Sequence, residues 1–163
     1  MIPRLERFGP VVLTGILRRH SRELEPYDTV LALGRQWDEY LRNHVAPSRT
    51  SPAWRYGVTL PMADGDMVFS YFCGAPPPEP RARIAGFGEL RIAASVWAVF
   101  PFEGHATEFR AFMHAAFASF LPQAGLRLAD RGAETPEYVE RYDWRFDLSS
   151  RKGGFDLLIP VAG

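Results

Sequence analysis

The spacing of apolar and polar positions divides the chain into two similar halves. Val11 to Leu17 is apolar apart from Thr14 and Gly15, which predicts a strand, followed by the polar stretch Arg18-Arg19-His20-Ser21. Asp28 then offers a helix N-cap, and Val30, Leu33, Gly34, Trp37 and Leu41 recur at helical spacing up to about His44. Pro47 and the loop Ser48 to Pro52 close that helix. Trp54 to Leu60 and Met67 to Cys73 read as strands joined through Pro61 and the turn signal Asp64-Gly65-Asp66. The order of the first half is β, α, β, β.

Gly74-Ala75-Pro76-Pro77-Pro78-Glu79-Pro80 reads as an extended connector, because proline has no N–H to give to a ladder. The pattern then repeats. Leu90 to Phe100 reads as one long strand ended by Gly104, and Phe109, Phe112, Met113, Ala116, Phe117 and Phe120 form the apolar stripe of a helix from about Thr107 to Leu121. Pro122 and Gly125 stop it. Tyr138 to Trp144 and Phe155 to Val161 supply two more strands around a Gly153-Gly154 turn. Two copies of roughly eighty residues predict an α+β fold with an antiparallel sheet system, approximate twofold symmetry and a ligand cleft between the copies. The halves run from about 8 to 74 and from about 87 to 163, with a proline-rich connector over 75–86, all within one domain.

The most informative residue is Glu140. On a strand it shares a face with Tyr138, Tyr142 and Trp144, and a partly desolvated acid among rings is an arrangement for binding cations. The alternative is an outward-facing Glu on an amphipathic strand whose rings pack only on each other. The first half offers Trp54, Tyr56, Phe69 and Tyr71 on its later strands, where plain core packing competes with a binding role.

Composition narrows the function classes. The 163 residues are 47% apolar and 13% aromatic, as in a folded protein, and 19 basic residues balance 19 acidic ones. A chain of zero net charge has no overall field to gather nucleic acid or an anionic membrane, so direct nucleic-acid binding and membrane association are not expected. Only Lys152 among the basic residues is lysine. One cysteine, Cys73, allows no internal disulfide, and Met1-Ile2-Pro3-Arg4 lacks the apolar core of a signal peptide, so the cytoplasm is the expected compartment. With only about ten residues before the first expected strand, no helix-turn-helix is expected there, and any regulatory role would require a partner protein.

Other chemistries fit less well. Gly86-Phe87-Gly88 leads into a strand instead of a helix, which rules out a dinucleotide fingerprint. His20, His44, His105 and His114 have no metal-ligand spacing, and His114 points away from its helix's apolar stripe. Cys73 reads as a small core residue. No cofactor or metal is expected.

The chain resembles the GyrI-like small-molecule-binding domain, the effector-binding domain of AraC-type and MerR-type regulators, as a stand-alone member. The resemblance is carried, in order, by Tyr56-Gly57-Val58, Tyr71 with Gly74, Ala98-Val99-Phe100 followed by Gly104, Phe120-Leu121-Pro122 with Gly125, Val139-Glu140-Arg141-Tyr142 and Ile159-Pro160-Val161. It implies a pseudo-twofold fold of the repeat type called SHS2, with a central cleft for multidrug-like ligands that are often cationic and aromatic. Glu140 falls on the acid of that cleft, Tyr142 on the aromatic two positions later, and Trp97 on the aromatic before the Ala-Val-Phe segment. Val139 and Glu103 depart from the family pattern, which has an aromatic and often a histidine there. The resemblance implies either a protein that senses or sequesters a small organic ligand, or a hydrolase of strained cyclopropane-bearing natural products with Glu140 as general base and Tyr142 beside it. Gyrase-protecting protein interaction would need an exposed patch, and haem binding would need a histidine in the cleft.

Overall fold

The structure, a computed structural model, describes residues 1–43, 54–62, 65–77 and 84–162. The expected loop Ser48 to Pro52, the helix end at His44, Asp64 of the expected turn, and Pro78, Glu79 and Pro80 of the connector lie outside the described residues. Its strands are β1 (Arg4–Phe8), β2 (Val11–Ser21), β3 (Arg55–Thr59), β4 (Val68–Ala75), β5 (Gly88–Ile92), β6 (Ser95–His105), β7 (Tyr138–Asp147) and β8 (Lys152–Val161). They form a single antiparallel sheet in the order β1-β6-β8-β7-β3-β4-β2-β5. That order reads the same from either end once β2, β3 and β4 are matched with β6, β7 and β8, and the two copies meet at β7 and β3. The outermost strands are exchanged: β1 precedes the first copy but pairs with β6, and β5 precedes the second but pairs with β2.

The helices are α1 (Pro26–Asn43) and α2 (Phe109–Ala115). A 3-10 turn (Ala106–Glu108) leads into α2, capped reciprocally by the His105 side chain on the Thr107 amide and the Glu108 side chain on the His105 amide. A π-helical segment (Ala116–Phe120) and a last turn, α3 (Leu121–Gln123), continue it. Pro122 accounts for the widened turn: it lacks the N–H that the Ala118 carbonyl would accept from, and the Leu121 N–H reaches back to the Ala116 carbonyl instead.

Both helices cover one face of the sheet. The cross-strand row Ile16, Cys73, Gly57, Glu140, Leu157, Phe100 runs across that face through six strands. At one end α1 packs Trp37 and Tyr40 on Ile16, Tyr71 and Cys73. At the other, the α2 region packs Phe109, Phe112, Phe117 and Phe120 on Phe100, Leu157 and Ile159. The opposite face carries Leu13, Val58, Phe72, Trp97, Val99, Val139 and Leu158. Phe8 of β1 and Tyr56 of β3 stand four places apart in the sheet, on the order of 19 Å if it were flat, yet their rings are 5.6 Å apart. The sheet therefore curls into a half-barrel around this second core.

Several boundaries differ from the sequence expectation. The stretch Leu90 to Phe100 is two strands, because the ladder breaks at Ala93-Ala94, opposite Gly9-Pro10, before resuming in the same register, and there Gly9 approaches so closely that a Cβ on it would meet the Ala93 carbonyl oxygen at 2.9 Å. Gly104 lies within β6, and Gly74 within β4 pairs with Gly15. Arg18 to Ser21 continue β2, since pairing with Tyr71 to Val68 satisfies their backbone whatever their polarity. Asp28 sits inside the first turn of α1, where its charge favours the helix N-terminus, instead of at the cap. Gly153 and Gly154 belong to β8, and the turn falls at Leu148 to Arg151. β1 has no counterpart in the sequence reading: its alternation is that of a short edge strand with three charged residues.

Candidate functional site

Over the middle of the Ile16-to-Phe100 row neither helix covers the sheet, and a cavity of about 360 Å³ opens there. Its walls come from α1 (Val30, Leu33, Gly34, Trp37), the start of α2 (Phe109) and the β7–β8 hairpin (Phe146, Leu148, Phe155). Gly57, without a side chain, leaves room beside Glu140, its cross-strand partner. A Cβ on Gly57 would stand 1.9 Å from the Tyr71 hydroxyl and 2.8 Å from Glu140 Oε1.

Glu140 is 4% exposed. Its Oε1 accepts hydrogen bonds from the Tyr71 and Tyr142 hydroxyls, each at 2.7 Å, and the Trp37 indole N–H donates to the Tyr71 oxygen at 3.2 Å. Oε2 has no partner among the described residues, and Glu140 forms part of the cavity wall. Burial pushes the Glu140 carboxyl up to about 7, against the pull of the two phenol donors. Burial and the neighbouring carboxylate hold both tyrosines well above their usual range, so they act as neutral donors. Around this acid the rings are contiguous: Tyr142 lies 4.5 Å from Phe155 and 5.6 Å from Trp37, and Phe155 lies 5.0 Å from Phe109.

Of the residues singled out in the sequence, Glu140, Tyr142, Tyr71 and Trp144 border the cavity. Trp144 is 89% exposed at its mouth. A register shift between Tyr142 and Phe146 lets Asp143, Trp144 and Phe146 all border it, which strict alternation would forbid. The other five lie elsewhere. Trp97, Tyr56 and Trp54 belong to the core on the opposite face, where the Trp97 indole N–H donates to the Phe8 carbonyl and Trp54 stacks under the Arg141 guanidinium. Tyr138 shares the Glu140 face but is covered by Phe109 and Phe117. Phe69 packs against His20 at the α1 end.

The sequence reading missed the α1 wall, although Val30, Leu33, Gly34 and Trp37 were its own apolar stripe. It also missed Phe155, Arg55, Asp143 and Arg151. Arg55 had a legible signal, since it stands two residues before Gly57 and so on the same strand face. Cys73 is buried, its thiol pushed up to about 12 by burial, and does not border the cavity. Among the described residues no cluster of His, Cys, Asp and Glu could hold a metal ion, and no helix is long and apolar enough to cross a membrane.

No family model matches the chain, and no curated protein matches it. Solved structures do. SAV2435, solved bound to tetraphenylphosphonium, is similar over 100% of this chain and 95% of its own, with a TM-score of 0.68 and 18% identity. An integron cassette protein of Vibrio cholerae matches 98% of this chain and 95% of its own, at 0.66 and 14%. EcmrR, solved in a complex with DNA, matches at 0.62 and 12%; the match covers 97% of this chain but only 56% of that one. The α+β half-barrel with a cleft between its two copies is thus the fold this chain shares with SAV2435, the cassette protein and part of EcmrR.

Proposed function

We propose that this protein is a small-molecule-binding protein of the GyrI-like effector-binding kind, which senses or sequesters an organic cation of aromatic bulk in the cavity between α1 and α2, with Glu140 as its counter-ion. The observation that carries this reading is the buried Glu140 carboxylate, one oxygen committed to two phenols and the group itself set into a ring-lined wall. A carboxylate so poorly hydrated gains more from a cation than one in water, and the ring faces add attraction of their own. The volume suits a drug-sized molecule. The shared fold with SAV2435 supports the same class of ligand.

The test is titration with tetraphenylphosphonium and with neutral triphenylphosphine oxide. Glu140→Gln is expected to weaken the cation by about 1 to 3 kcal/mol and leave the neutral compound within twofold. Equal losses for both would show that the carboxylate is not a counter-ion. A second reading, hydrolysis of a strained cyclopropane-bearing compound, draws on the carboxyl being pushed up to about 7, where a general base works near neutral pH. It requires turnover by the wild type that falls about a hundredfold in Glu140→Gln with substrate binding retained.

A further inference from the structure

The cavity floor carries a second charge. Arg55 of β3 is paired across the strands with Tyr142, and Gly57 with Glu140, so Arg55 and Glu140 stand diagonally on adjacent strands of one face. Such positions are about 7 to 8 Å apart along the backbone. Arg55 borders the same cavity as Glu140. Its Nε is shut off from solvent with no acceptor, and the guanidinium forms no hydrogen bond or ion pair with any described residue.

The other charges around the cavity do not share that condition. Asp143 takes the Arg145 Nε–H on both carboxylate oxygens, at 2.9 and 3.0 Å. Arg151 donates from Nη1 to the Val30 carbonyl at 3.0 Å, its guanidinium lying against Gly34. Asp38 is exposed on α1 at the rim and forms no ion pair with Arg55. A guanidinium offers a planar fork of donors suited to a carboxylate, a phosphate or a sulfonate. An Nε–H shut off from water beside a ring-lined wall is costly unless an acceptor completes it.

We propose that the ligand is amphoteric: a cationic aromatic that also carries an anionic group, the cation meeting Glu140 and the anion meeting Arg55. This rests on the binding reading above and narrows its ligand class. A purely cationic ligand would set a like charge beside Arg55, and a purely anionic one would set a like charge beside Glu140. An amphoteric ligand satisfies both poles, and the neutral pair it forms with the site needs no counter-ion from solvent.

Rhodamine 110, a zwitterion with a free carboxylate, and rhodamine 123, its cationic methyl ester, test this by fluorescence titration of the full chain. Arg55→Gln is expected to weaken rhodamine 110 tenfold or more and to leave rhodamine 123 within twofold or slightly tighter. Arg55→Lys, which keeps the charge without the fork, is expected to fall between. Glu140→Gln weakens both dyes. Wild-type folding of each variant is checked by its unfolding midpoint. Equal changes in both dyes on Arg55→Gln, or none, would overturn the anionic pole while leaving the cation reading in place. A preference of the wild type for the ester over the acid would overturn it too. Failure of the wild type to bind either dye would count against both readings. An added Asp38→Asn change that restored rhodamine 110 binding to Arg55→Gln would assign the effect to Asp38 and overturn the proposal.

Discussion

Gly57→Ala is expected to destabilise the protein by about 3 kcal/mol or more and to weaken cation binding at least tenfold. The added methyl would stand 1.9 Å from the Tyr71 hydroxyl, and that ring cannot swing away, being 1% exposed and held between the Glu140 carboxylate and the Trp37 indole. Either β3 and β7 separate, losing ladder bonds at the centre of the sheet, or Tyr71 leaves Glu140 and the indole N–H loses its acceptor. Urea unfolding measures the first loss and tetraphenylphosphonium titration the second. A variant with wild-type stability and affinity would mean that the row through Gly57 is looser than its geometry.

The second large effect is on the pH dependence of stability. The Glu140 carboxyl stands near 7 in the folded chain and at about 4.5 when unfolded, so between those values the folded protein holds a proton that the unfolded chain has released. Its contribution to stability is therefore fully present below about pH 4.5, declines as pH rises through 7, and levels off above that. At pH 8 the ionised group costs about 3 kcal/mol. Glu140→Gln is expected to remove this slope and to exceed the wild type at pH 8 by up to that amount, while the two are close at pH 5. A saturating cation should recover the loss at pH 8 and add little at pH 5. Unfolding midpoints for both proteins at pH 5, 6, 7 and 8, with and without tetraphenylphosphonium, measure all three; parallel curves for wild type and variant would mean that Glu140 is hydrated.

The elements that could be read from the sequence were those with strong periodicity. The aromatic stripe from Phe109 to Phe120 required a helix, and the repeated β, α, β, β order required two matched copies. Glu140, Tyr138 and Tyr142 could be placed on one face because alternation along β7 follows from a period of two. The missing part was which face each first-half ring belonged to. Tyr56 and Tyr71 look alike in sequence, but they lie on opposite faces, because Gly57 and not Tyr56 is registered with Glu140. Register is a property of pairs of strands, and no single strand contains it. Trp97 was misplaced for the same reason, and the α1 wall was missed because an apolar stripe reads the same whether it covers a core or borders a cavity.

The exchange of β1 and β5 means that neither copy is an independent unit of unfolding. β1 is pinned to the opposite copy by Arg141, which holds Glu6 at 2.7 Å and Asp156 at 3.1 Å, as well as by its ladder to β6. Opening either outer edge thus strips a strand from the other copy, and the two ligand-cavity walls, one from each, are coupled through backbone hydrogen bonds on both flanks. Loss of order at one wall cannot stay local: the half-barrel should melt in one step, and whatever fills the cavity steadies both copies at once.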